Sequence, residues 1–210
     1  MLPSLRSLGT ACLFLAQAQA GPLSHRASPP SVIEGDGTVE AKLPSGDAVT
    51  VYLHGATVTS WKASDGDEKI FLSTASALDG SAAIRGGIPV VFPNFGSPPK
   101  EGHQTSQLPG HGFARNSTWT FDSSAPQEDG SGVALRFLLD SASLSADYQA
   151  KWPYSAKLAY TVNLTQDNLN VHFSLENTDT QAIDFQFLLH TYLTVPVSHN
   201  IRRVESNVSN

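Results

Sequence analysis

Two neighbouring runs, "KLAYTVNL" (157–164) and "NLNVHFSL" (168–175), alternate apolar and polar residues without interruption, and this constrains the fold more than any other feature. In the first run Leu158, Tyr160, Val162 and Leu164 fall on one side; in the second, Leu169, Val171, Phe173 and Leu175 do. A period of two means a strand with one face in a core and the other in water. The short connection at 165–167 closes the two into an antiparallel hairpin. Further strand signals are "AVTVYL" (48–53), "ATVTSW" (56–61), "KIFL" (69–72) and "VALRFLL" (133–139), separated by turn-forming Gly, Asp, Asn and Pro. Helical pattern is confined to "SLSADYQAKW" (143–152), where one or two turns are expected after Ser141 or Ser143 as a cap. No repeat or heptad is present. The pattern therefore predicts an all-β chain, a mostly antiparallel sandwich rather than a set of βαβ units.

At 210 residues and 40% hydrophobic content, the chain can bury the core of one domain. Thirteen Lys and Arg against nineteen Asp and Glu leave no basic surplus to neutralise a nucleic-acid backbone or hold an anionic membrane. The partner expected is a small molecule, the chain itself a monomer. Residues 1–20 have a signal-peptide layout: basic Arg6, an apolar run from Leu8 to Ala16, and an Ala18-Gln19-Ala20 cleavage site. An unstructured alanine-rich extension is the other reading. The chain is secreted if that leader is cleaved and cytoplasmic otherwise. Residues 21–31, rich in Pro and Ser, read as a linker, and 32–210 as the domain. The only cysteine, Cys12, lies in the leader, so the domain has neither a disulfide nor a thiol nucleophile. Sequons at Asn116, Asn163 and Asn207 permit glycosylation after secretion.

Three stretches carry candidate chemistry. In "AIDFQFLLHTYLTV" (182–195), read as a strand, Ile183, Phe185, Phe187, Leu189, Leu193 and Val195 share one side. Asp184, Gln186, Leu188, His190, Tyr192 and Thr194 share the other, and the strand is too apolar for an exposed edge. A histidine on such a mixed face can give a proton to a ligand oxygen. Periodicity alone favours a plainer role, a core histidine satisfied by a backbone carbonyl. In "AIRGGIPVVFPNFGSPP" (83–99), Arg85 precedes two glycines that allow positive φ or close backbone approach, and its guanidinium suits phosphate or sugar hydroxyls. A loop-capping arginine fits as well. "LPGHGFARNSTW" (108–119) sets His111 between Gly110 and Gly112, with Arg115 behind it, and poses the same choice. His25, His54, His103, His172 and His199 read as bland, with His172 facing outward. Phosphate-loop, dinucleotide-binding and nucleophile-elbow motifs are absent, as is any metal-ligand spacing. No cofactor and no metal are expected.

Taken together, Arg85-Gly-Gly-Ile-Pro-Val-Val-Phe-Pro, Leu108-Pro-Gly-His-Gly-Phe-Ala-Arg115 and Phe187-Leu-Leu-His190-Thr-Tyr-Leu resemble the hexose-6-phosphate mutarotase (glucose-6-phosphate 1-epimerase) branch of the aldose 1-epimerase family. "YLHGATVTSWK" (52–62) and "AKWPYSAKLAYTV" (150–162) are similar too, so the likeness covers about Val32 to Val195 in one order. The resemblance implies the large antiparallel β-sandwich of galactose mutarotases and, without a cofactor, exchange of α and β anomers by opening of the pyranose ring. It implies His190 as the acid at the ring oxygen, His111 as a histidine steadying sugar oxygens, and Arg85 and Arg115 as groups near the phosphate. On this reading the glycines around His111 make room for the sugar. Gly110 stands where the branch usually has a glutamine that touches substrate. The family's general-base glutamate and a substrate-binding aspartate belong to a C-terminal portion absent from these 210 residues, so the domain is expected to be C-terminally incomplete. Glu176 and Glu205 match neither. The alternatives are a non-catalytic carbohydrate-binding protein and an inactive fragment of the same fold.

Overall fold

The computed structural model describes residues 28–127 and 131–195. The leader, most of the linker, Cys12, His25, His199, Glu205 and the sequon at Asn207 lie outside them. Four strands, β1 (Ser31–Glu34), β2 (Thr38–Lys42), β3 (Ala48–Tyr52) and β4 (Thr57–Lys62), make one antiparallel meander. A long connection carries the two-residue β5 (Val90–Val91). A second meander follows: β6 (Thr120–Pro126), β7 (Gly132–Asp140), β8 (Ala156–Thr165) and β9 (Asn168–Asn177). The chain then returns to pair β10 (Leu188–Leu189) with β5.

The period-two runs account for this architecture. Val39, Ala41, Val49, Val51 and Val58 from the first sheet join Val133, Leu135, Phe137, Leu158, Tyr160, Val162 and Leu164 from the second in one continuous core. Burying each of the larger side chains stabilises the fold by about 1.5–3 kcal/mol. The β8–β9 hairpin is in register from Thr165 opposite Asn168 to Ala156 opposite Asn177, as the alternation requires. Its turn is pinned to the first sheet, because the buried Asp47 carboxylate accepts hydrogen bonds from the Asp167 amide (2.9 Å) and the Ser45 hydroxyl (2.5 Å). His172 and Glu176 point outward.

Three local expectations are corrected. The helix α1 (Ala146–Lys151) is capped by Ser145, whose hydroxyl accepts from the Tyr148 amide. Ser141 is occupied elsewhere, accepting from the Ala156 amide at 3.0 Å, and Ser143 donates to the Asp140 carbonyl at 2.7 Å. "KIFL" is extended but laddered only by single bridges, Ile70 to Leu193 and Leu72 to Gly86. Residues 182–195 form a strand only at β10, although the Gln186, His190 and Tyr192 amides donate to the Pro93, Pro89 and Gly87 carbonyls. Proline has no N–H to return, so Pro89 and Pro93 make that ladder one-sided. The segment is also an exposed one, with Phe185, Leu188, Leu193 and Val195 between 38% and 78% accessible. The alternation of its faces nevertheless holds: Phe187 stacks on Phe173 at 4.0 Å, while His190 and Tyr192 turn to the opposite side. Among the described residues, no helix is long and apolar enough to cross a membrane.

Candidate active site

The glycines that looked like space for a ligand are filled by the protein's own backbone. A Cβ on Gly112, which has φ +70°, would lie 2.1 Å from the Phe92 carbonyl oxygen. That same oxygen accepts the amides of Phe113 (3.0 Å) and Ala114 (3.3 Å), so the missing side chain lets residues 112–114 close on the 90–93 stretch. Gly86 and Gly87 do likewise: their Cβ atoms would meet the Phe71 carbonyl at 2.5 Å and the Val58 carbonyl at 2.4 Å. The role of these glycines is thus one step removed from any ligand, since they bring Arg85, His111 and Arg115 to one place.

His111 sits at φ +69°, unusual for a residue with a side chain, and is held twice by Gly96. Its amide donates to the Gly96 carbonyl at 2.9 Å, and the Gly96 amide donates to its Nδ1 at 3.2 Å. A ring nitrogen that accepts must be unprotonated, so the proton of the neutral ring is on Nε2. Desolvation lowers the His111 pKa from 6.5, and the nearby Arg115 and His190 charges lower it further. His111 is therefore built as a neutral Nε2–H donor.

Four residues on, Arg115 lies in a short 3₁₀ turn (Ala114–Asn116) and donates through Nη2 to the Gly110 carbonyl at 3.0 Å. Its Nε is buried without a partner among the described residues. Burial lowers its pKa, opposed by the phenols of Tyr192 and Tyr148, and the guanidinium stays charged. Arg85 is exposed, its amide accepted by the Ser76 hydroxyl at 2.9 Å and its carbonyl taken by the Ser73 amide at 3.0 Å.

His190 meets this group from the returning 182–195 segment. Its ring stands edge-to-face with His111, centroids 5.6 Å apart at 84°, and lies flat against Tyr192, 4.9 Å apart at 14°. Arg85, Arg115, His190 and Tyr192 line one cavity of about 480 Å³, with Phe71 and Pro89 among its other walls. His111 is not among the lining residues and joins the group through its ring contact with His190. All four residues singled out from the sequence are brought together, although none of them lies in a strand and they come from three separate parts of the chain. Phe71 was missed: "KIFL" showed only a strand. No carboxylate lines the cavity among the described residues. Nor do they contain a group of three metal-ligating side chains. A hollow of about 420 Å³ on the outer face of β7–β9 holds Arg136, Lys157 and Glu176 but no histidine or aromatic ring. His54 and His103 also lie apart from the cavity, His103 bonded through Nδ1 to the Thr105 hydroxyl at 3.0 Å.

The sequence profile of the "Aldose 1-epimerase" family matches residues 38–209, which includes every part of this site. The chain belongs to the aldose 1-epimerase family. Similar relatives of this family member include a "Putative glucose-6-phosphate 1-epimerase" of Cenchrus ciliaris, 33% identical over 156 residues, covering 72% of this chain and 45% of the relative. A protein of the same name in Escherichia coli K12 is 37% identical over 146 residues, covering 68% and 44%. The chain thus spans less than half the length of these relatives. Among solved structures, the "putative mutarotase (YeaD)" of Salmonella typhimurium superposes with TM-score 0.56 at 26% identity, over 70% of this chain and 47% of that one. A "galactose mutarotase related enzyme" of Lactobacillus acidophilus gives TM-score 0.56 at 20% identity, over 82% and 51%, which establishes the shared sandwich fold.

Proposed function

We propose that the cavity takes a hexose 6-phosphate and assists opening of its pyranose ring, so that α and β anomers interconvert. One observation carries the reading: His190 lines a cavity together with Arg85 and Arg115, and the His111 ring meets that of His190 at 5.6 Å. Two proton donors beside two guanidinium groups suit a ligand with sugar oxygens at one end and a dianion at the other. His190 gives a proton to the ring oxygen as the C1–O5 bond breaks. His111, neutral and donating through Nε2, steadies a neighbouring oxygen, and the arginines take the phosphate. The names of the relatives point to the same substrate class.

The C1 hydroxyl must lose its proton for the ring to open, and no carboxylate lines the cavity among the described residues. That observation favours a second reading, a carbohydrate-binding protein that holds the phosphosugar without turning it over. Magnetisation exchange between the H1 signals of α- and β-glucose 6-phosphate, with and without purified full-length chain, separates the two. The enzyme reading expects exchange faster than in buffer and a much weaker effect on glucose. Saturable binding with exchange at the buffer rate assigns the second reading, and neither binding nor acceleration removes both.

A further inference from the structure

A histidine that transfers a proton is ordinarily aimed by a hydrogen bond on its other ring nitrogen. His111 has such a bond, from the Gly96 amide. His190 has none: among the described residues, nothing hydrogen-bonds to either ring nitrogen. What touches its ring is aromatic, Tyr192 lying flat on one face and His111 meeting it edge-on.

The backbone around Tyr192 is unusually well fixed for an exposed segment. Its amide donates to the Gly87 carbonyl at 2.9 Å, and its own carbonyl accepts from the Phe71 amide at 3.0 Å, so neighbours on both sides grip it. His190 is tied through its amide to the Pro89 carbonyl at 3.0 Å. Two residues apart on extended chain, both side chains leave the same face, which is why their rings overlap. Tyr192 is 38% exposed, so its packing adds little to the core. An offset stack of this kind favours one ring orientation over its alternatives several-fold.

We propose that Tyr192 is the positioning residue for His190, its ring serving as a fixed platform that orients the imidazole toward the cavity in place of the missing hydrogen bond. The proposal rests on the phosphosugar reading for its purpose but not for its geometry. The ring, not the hydroxyl, does the positioning, so Tyr192→Phe should retain the effect and Tyr192→Leu should lose it.

The test compares full-length wild type, Tyr192→Phe and Tyr192→Leu by long-range proton–nitrogen spectra of the histidine rings, with glucose 6-phosphate exchange measured alongside. In Tyr192→Leu the His190 ring signals should move, having lost the ring current, while those of His111, held by Gly96, stay within the small change transmitted through their mutual contact. In Tyr192→Phe both sets should match wild type. Where exchange is catalysed, Tyr192→Leu should lower kcat about tenfold with KM little changed, as expected for a misaimed group, and Tyr192→Phe should restore it. Unmoved His190 signals in Tyr192→Leu would overturn the proposal; so would a Tyr192→Phe variant behaving like Tyr192→Leu, which would assign the effect to the hydroxyl. If wild type shows no exchange, the functional reading fails while the ring signals still decide this one.

Discussion

Gly112→Ala should be the most destabilising single change at this site, lowering stability by about 4 kcal/mol. The added methyl would sit 2.1 Å from the Phe92 carbonyl oxygen and 2.5 Å from the carbonyl carbon, both backbone atoms that no side-chain rotation can clear. Relief requires residues 112–114 to part from 92, which breaks the two hydrogen bonds that Phe113 and Ala114 donate there. It also disturbs Phe92 and Phe113, both fully buried and packed edge-to-face at 5.7 Å. An overpacked, strained core site of this kind costs on the order of 4 kcal/mol, a large part of the 5–15 kcal/mol that a domain has in total. Gly102→Ala provides the control, because Gly102 has φ +90° but nothing within 4 Å of its would-be Cβ. That change carries only the backbone penalty, about 1–2 kcal/mol. Urea melts of the two variants should differ clearly in midpoint. Equal midpoints would mean that the 112–92 approach does not hold this region together, and would remove the explanation of how His111 reaches His190.

The second large effect concerns chemistry without folding. His190→Ala should return glucose 6-phosphate exchange to near its buffer rate, a loss of about 10²–10⁴-fold, the usual contribution of a positioned proton donor. Thermal stability should change little, since the ring is half-buried and forms no hydrogen bond among the described residues. Phosphosugar affinity should fall only a few-fold, because Arg85, Arg115 and His111 remain. A His190→Ala protein that exchanges anomers as fast as wild type would remove His190 from the mechanism.

The period-two runs announced β8 and β9 because each has a drier and a wetter face, and alternation in sequence is the direct consequence of that geometry; β3, β4 and β7 were announced by their strand-forming residues, and β4 buries three successive residues without alternating. Where a chain segment lies extended but exchanges bonds with prolines, the link weakens. Residues 182–195 alternate correctly, yet Pro89 and Pro93 leave only β10 as a ladder. The glycines of "PGHGFAR" are instructive in another way. Their presence signalled a close approach, but not by what, and the intruder proved to be the Phe92 carbonyl, not a sugar. The pairing of His190 with Tyr192 could be read from their two-residue spacing. Its meeting with His111 could not, because that depends on the 186–194 segment lying back along 87–93, a long-range contact set by tertiary packing.

The central claim, that one hollow grips a phosphorylated pyranose through two histidines and two arginines, is tested most directly by titrating isotopically labelled full-length chain with glucose 6-phosphate, and separately with glucose and with inorganic phosphate. The account predicts saturable shifts at Arg85, His111, Arg115, His190 and Tyr192, tightest for glucose 6-phosphate, and an affinity about tenfold weaker in Arg115→Gln, as expected on removing a charge-assisted contact. Shifts confined to the outer face of β7–β9, or equal affinity for glucose and glucose 6-phosphate, would contradict it.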